Sequence, residues 1–401
     1  MTLAHGIEQV LGVSPTRQRL VFIAAYIVLR IAAGQLASIL STTGGISVWY
    51  ASAGLDVVML SVLGLQAWRL FFLVQIGLSF MFIGWELGLL WYSVSAGLKT
   101  VAYTGGLWLV VRFGAIQVSL ERLRDVLGFI VGGVLLAPLG NAVAQAGLRL
   151  ARGRATGAEL VPDILNFWIG DATGIIMLAP ALLVLLRYVP ALWHSDAQGP
   201  LQPWLRIHSQ RDRLVFAVFY AALFAVIAIV FWLPPTPSLN YAPLLFAPIF
   251  WAATFKGFER TAVAVFVLNV VTVITVSFYI DVLDLFAFQV SLLIISLAGI
   301  IMGSYVTNRQ RIKLDLIHAR RAAEAAILLQ QYLLQNLSHE IRTPLTGILG
   351  YAELLELESE GREAAMYQHI QQHGEALLDV LMETLAEAQM GSAGLSDKGE
   401  G

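Results

Sequence analysis

Cysteine is absent from the 401 residues, which excludes a disulfide framework, a thiolate metal site and a cysteine nucleophile. Charge is scarce as well: 13% of the chain is Asp, Glu, Lys or Arg, and the formal net charge is −2. Basic stripes with interleaved aromatics do not occur, so no nucleic-acid surface is expected. Residues 1–18 show no small-residue cleavage pattern behind a short apolar core. The first hydrophobic stretch is therefore expected to stay as a span rather than be removed as a leader. A phosphate loop of the form Gly-x-x-x-x-Gly-Lys is missing too.

What is present is hydrophobic, 58% of the chain, and that composition points to a bilayer rather than to a soluble fold. Its distribution is uneven. Residues 1–305 are apolar with sparse charges, whereas 306–401 are rich in Arg, Glu and Gln. The predicted organisation is a cytoplasmic N-terminus over 1–19, an integral membrane domain over 20–305, and a helical linker over 306–331. A two-helix hairpin over 332–390 and a disordered Gly/Ser/charged tail over 391–401 follow. The fold class is all-α, with about ten stretches approaching the ~20 apolar residues a spanning helix needs. They lie near 20–40, 47–65, 69–91, 94–113, 125–148, 164–187, 213–233, 241–255, 259–280 and 285–305. The eighth is short enough to be re-entrant.

Cationic residues orient these spans. With the N-terminus inside, the inner loops hold Arg69; Arg112, Arg122 and Arg124; Arg187, Arg206, Arg211 and Arg213; then Lys256 and Arg260. The facing loops 41–46, 92–93, 234–240 and 281–284 hold no Lys or Arg, while 149–163 breaks the rule with Arg149, Arg152 and Arg154. Both termini are expected in the cytoplasm. Arg30, Asp56, Glu86 and Asp171 fall inside spans, where an unpaired charge costs ~2.5–3.5 kcal/mol on insertion scales. Arg30 is expected to be neutralised by one or more of the three acids. Either the group fixes helix register as a structural ion pair, or it lines a ligand or ion pocket that receives the signal.

Beyond the membrane, Asn308–Tyr332 is rich in good helix formers and free of Gly and Pro, a rod that a parallel coiled coil could continue into the hairpin. Leu334, Leu337, Ile341, Leu345, Ile348, Ala352 and Leu355 then recur every three or four residues as one apolar stripe. His339, two positions from Leu337 and Ile341, is about 200° away from that stripe. After a break at Glu358–Arg362, a second helix carries Ile370, Leu377, Leu381, Leu385 and Ala388. Two such helices cannot bury both stripes alone; two copies can, as a four-helix bundle. A homodimer is expected. His369 and His373 share a face but lack a third ligand, so no metal is assigned.

An exposed neutral imidazole is nucleophilic near physiological pH, and Glu340 beside it could accept its ring proton or fix its tautomer. Pro344 offers no N–H to the carbonyl of Glu340 and should kink the helix just after the histidine. Thr346, Gly347 and Gly350 leave a low-relief face for a docking partner. The string Leu337-Ser338-His339-Glu340-Ile341-Arg342-Thr343-Pro344-Leu345 resembles the phosphoacceptor box of two-component sensor histidine kinases. The resemblance implies that His339 is the phosphoacceptor of a His-to-Asp phosphorelay, and that a response regulator docks on the hairpin. It also implies that Thr343, in an E-x-x-T pattern with Glu340, helps orient a hydrolytic water. For Thr343 a plain backbone hydrogen bond is the other reading. The family's nucleotide-binding motifs, N-x-x-x-N and D-x-G-x-G, do not occur after His339. ATP and Mg are thus expected to bind only through a catalytic domain supplied elsewhere, no cofactor through these residues, and autophosphorylation by them alone is not expected.

Phe167-Trp168-Ile169-Gly170-Asp171-Ala172-Thr173-Gly174 with Ala179-Pro180, supported by Trp49–Gly54, Arg124-Asp125-Val126 and Phe250–Ala253, resembles the membrane-associated sensor domain MASE, first type. That implies a bacterial inner-membrane, multi-pass sensor in contact with lipid and fused to an output module. Other readings remain: a non-enzymatic regulator that pairs with a complete histidine kinase or binds a response regulator, or a transporter with a vestigial tail.

Overall fold

The structure, a computed structural model, describes residues 15–39, 50–83, 88–114, 120, 122–193, 210–232, 239–277, 285–358 and 361–396. Among them every regular element is helical and none is a strand. Chains this apolar have no choice, because only a helix or a closed barrel satisfies backbone N–H and C=O groups without water. The chain forms two compact units, Met1–Gln310 and Arg311–Gly401.

The first unit holds α1 (Pro15–Ile39), α2 (Ala51–Leu63), α3 (Trp68–Ile83) and α4 (Gly88–Gly114). Then come α5 (Leu123–Gly128), a π-helical segment (Phe129–Leu136) and α6 (Ala137–Ala151) in one run, followed by α7 (Leu160–Trp193). Last are α8 (Gln210–Phe231), α9 (Phe246–Ser277) and the first part of α10 (Leu285–Glu358). Asp125 starts the α5 run by accepting the backbone N–H of Arg122 at 3.3 Å, a cap for one of the free donors of a helix N-terminus.

At the centre of this unit lies α2. Every residue from Ala51 to Val62 is buried, as expected of a helix that is apolar all round. Its tightest neighbour is α7: a side chain at Gly174 would strike the Tyr50 carbonyl, and one at Gly54 would come within 2.6 Å of the Gly174 carbonyl. Glycine at these two places lets the backbones touch. Around Gly170 there is open space, so only Gly174 of that G-x-x-x-G pair serves helix approach.

Seven helices among the described residues are long and apolar enough to cross a membrane, and Ala51–Leu63 and Ala217–Phe231 are shorter apolar helices. The all-α membrane bundle is as expected, and length and composition pick out seven candidate spans among the described residues where the apolar stretches predict about ten. The segment at 47–65 yields a helix of only 13 residues, and those at 241–255 and 259–280 share α9. That helix is broken at Gly257 (φ 74°, ψ −169°), a conformation closed to residues with a Cβ. A side chain at Gly299 of α10 would meet both Ile249 and Val265, which a straight helix would hold ~24 Å apart. The limbs of α9 therefore fold back on the same side of Gly257. With that division, Ala51–Leu63 and α8, all ten apolar stretches correspond to helices or helix limbs.

A polar seam joins α10 to the second limb of α9. Asn269 Nδ2 donates to Ser296 Oγ at 3.0 Å, and the Phe258 backbone N–H donates to Thr307 Oγ1 at 2.8 Å. Phe258 follows the break, so its N–H has no partner a turn earlier; the Thr307 hydroxyl caps the restarted helix.

Candidate functional site

In the second unit, α10 runs on to Glu358 and α11 (Arg362–Ser396) follows. They pair antiparallel: Arg342 Nη2 reaches Met382 Sδ at 2.8 Å, and a side chain at Gly374 would collide with Leu349 at 2.5 Å. His339 and Glu340 lie within the helical backbone of α10; their side chains are outside the described residues. Helix continues through Pro344, so any bend the proline imposes leaves both flanking turns helical. Thr343, Pro344, Thr346 and Gly347 are exposed and Gly350 is half-buried. Nothing lies within 4 Å of where a side chain would start at Gly347 or Gly350, which makes this face flat. Among its described residues the apolar stripe stays largely uncovered: Ile341 is 38% exposed, Ile348 54% and Leu355 42%, and of these described residues Ala352 alone is buried, at 4%.

Charges of the first unit meet in its interior. Asp56 on α2, fully buried, accepts from four side chains on three other helices. On α1, Tyr26 Oη donates to Oδ1 at 2.8 Å and Arg30 Nε to Oδ1 at 2.9 Å. Lys99 Nζ of α4 lies 2.8 Å from Oδ2, and Gln75 Nε2 of α3 donates to Oδ2 at 3.2 Å. Arg30 and Lys99 also face the Tyr50 ring, 5.8 and 5.5 Å from its centroid. A buried carboxylate so surrounded is stable because its desolvation is offset by two cations and neutral donors.

Asp171 of α7 forms a second node. Its Oδ2 accepts from Tyr103 Oη at 2.9 Å and Asn141 Nδ2 at 2.8 Å. Gln145, one turn after Asn141, donates to Asn141 Oδ1 at 3.3 Å and accepts from Ser95 Oγ at 2.8 Å. Lys99 Nζ lies 5.5 Å from the Tyr103 ring centroid, and this links the nodes. Trp168 Nε1 donates to the Leu135 carbonyl at 3.0 Å, where the π-helical segment disturbs the regular ladder.

Arg30 and Asp56 are thus joined directly, and Asp171 only through Lys99 and Tyr103. Glu86 lies outside the described residues. Lys99 is not among the intramembrane charges read from the sequence, although the same criterion, a charge in an apolar run, singles it out. Tyr26, Gln75, Tyr103 and Asn141 gave no such signal; polar side chains scattered over four helices become a network only by packing.

Comparison with known proteins agrees with this division. The MASE1 family model matches residues 18–310, and the His Kinase A (phospho-acceptor) domain matches residues 329–392. The chain is 44% identical over 80 residues to sensor histidine kinase AruS of Pseudomonas aeruginosa, covering 20% of this chain and 8% of that protein. It is 42% identical over 77 residues to sensor histidine kinase GacS of Pseudomonas protegens, 19% of this chain and 8% of that one. To the autoinducer 2 sensor kinase/phosphatase LuxQ of Vibrio parahaemolyticus it is 38% identical over 87 residues, 21% and 10% respectively. The matches therefore span a tenth or less of these curated relatives. No solved structure matches.

Proposed function

The chain belongs to the MASE1 family and carries a His Kinase A domain behind its membrane unit; from that premise we propose that it is the membrane sensor of a two-component system, with His339 as phosphoacceptor. The observation that carries the proposal is positional. The phosphoacceptor string and the Thr307 contact that ends the membrane seam lie on one helix, α10.

A ring nitrogen of His339 attacks the γ-phosphorus of ATP in line. The N–P bond forms as the bond to the bridging oxygen breaks, ADP leaves with Mg, and Glu340 takes the ring proton. The nucleotide is held by a catalytic domain outside residues 1–401. The phosphoryl group then passes to the aspartate of a response regulator seated on Thr346, Gly347 and Gly350, and Thr343 positions the water that later hydrolyses it. A second copy covers the exposed stripe at Ile341, Ile348 and Leu355. Both termini lie in the cytoplasm of a bacterium, with the first unit in its inner membrane among lipids. The buried charges around Asp56 and Asp171 hold the signal-receiving helices in register.

Radiolabel transfer tests this. The chain in nanodiscs is incubated with labelled ATP and a separately expressed histidine-kinase catalytic domain. Label should enter the wild type and be absent from His339→Gln; equal labelling of both overturns the assignment.

A further inference from the structure

The three arginines that break the cation rule between α6 and α7 are not scattered. Helix α6 ends in a Schellman turn. The Arg152 N–H donates to Leu148 at 3.2 Å, Gly153 to Leu150 at 2.9 Å and Arg154 to Arg149 at 2.9 Å, with Gly153 at φ 66°. That turn fixes Arg149, Arg152 and Arg154 at one end of the helix. Two lie against aromatic faces, Arg149 with its Cζ 5.7 Å from the Phe167 ring centroid and Arg152 5.8 Å from that of Trp91. Guanidinium groups backed by aromatic rings are held with their edges free, the geometry in which they take carboxylate or phosphate.

The local acids among the described residues leave two of the three without a carboxylate partner. Glu159 is spent on its own turn, accepting from the Thr156 N–H at 2.7 Å and hydroxyl at 3.0 Å. Asp163 pairs loosely with Arg149, 3.5 Å from its Nε, and its Oδ2 has no hydrogen-bond partner. Among the described residues Arg152 and Arg154 have no carboxylate partner. A single cation would satisfy the negative end of α6; three crowd it, and burial followed by the charges of Arg154 and Arg149 draws the pKa of Arg152 downward. Such crowding is relieved by an anion.

We propose that Arg149, Arg152 and Arg154 form a binding site for an oxyanion, the phosphate or carboxylate group of a soluble ligand or of a lipid head group, at the turn between α6 and α7. The site also has a route inward. Asn141, Gln145 and Arg149 recur every four residues on one face of α6, and Gln145 and Asn141 lead by hydrogen bonds to Asp171. An anion that draws Arg149 from Asp163 changes the charge one turn from that network.

The test uses the full chain in phosphatidylcholine nanodiscs. One arm titrates inorganic phosphate at constant ionic strength against chloride, followed by calorimetry and thermal stability. The other adds phosphatidylglycerol to the discs without phosphate. A saturable phosphate response, weakened at least about tenfold in R152Q/R154Q, identifies a soluble anion as the ligand. A response to phosphatidylglycerol alone, lost in the same variant, identifies a lipid head group. No response in either arm, or one that survives in R152Q/R154Q, overturns the site. Should the double variant be unstable in chloride, R154Q alone decides, since Arg154 is exposed.

Discussion

In the first unit a carboxylate, Asp56, is wholly buried and accepts from Tyr26, Arg30, Gln75 and Lys99. In the second, Ile348 is 54% exposed and Leu354 58%. The first unit places a carboxylate where a lipid-like interior disfavours it and surrounds it with donors from one chain. The second leaves large apolar groups uncovered in a single copy. The charges around Asp56 are paired within a single copy, because an unpaired buried charge is too costly to wait for a partner. A helical hairpin can tolerate an open stripe, and that tolerance makes it an association surface.

Four substitutions break or sharpen this contrast. The largest effect belongs to Asp56→Asn, which leaves Arg30 and Lys99 buried without their carboxylate and should destabilise the first unit by about 3–5 kcal/mol. Thermal unfolding in nanodiscs reads it, and an unchanged transition would show that the ion cluster is not what holds α1, α2 and α4 together. Next is Gly174→Val, whose side chain runs into the Tyr50 carbonyl, with an expected cost of about 1–3 kcal/mol. Gly170→Ala, which meets open space, serves as control and should unfold close to wild type; similar losses for both would mean that the α2–α7 contact is not a glycine contact.

Ile348→Glu acts on the other side of the contrast. It should weaken dimerisation by about 2 kcal/mol while the thermal transition of the first unit stays put. Mass photometry in nanodiscs with dilution checks it, and dimers that persist unchanged would place the interface elsewhere. Smallest is Thr307→Val, which keeps the shape and removes the cap on Phe258, an expected loss of about 1 kcal/mol. Hydrogen exchange at Phe258 should quicken; unaltered protection there would remove the cap from the account.

Much of the site can be read locally. Apolar run length gives the helices, and the string Leu337–Leu345 lies within the stretch that matches the His Kinase A domain. Arg30 and Asp56 could be named as intramembrane charges needing partners. Which partner each would find could not. Lys99, Gln75 and Tyr26 reach Asp56 from α4, α3 and α1, and Asp171 turns instead to Tyr103 and Asn141.

The sequence alone determined where helices form, which stretches are too apolar for water and which segment resembles a phosphoacceptor box. Those properties depend on neighbours within a turn or two of the chain, and the helical period fixes them. Tertiary structure alone decided that α9 doubles back at Gly257, that Thr307 caps the helix restarted there, and that four helices converge on one carboxylate. Such contacts depend on how closely backbones approach and at what angle they cross, and no one-dimensional spacing encodes that.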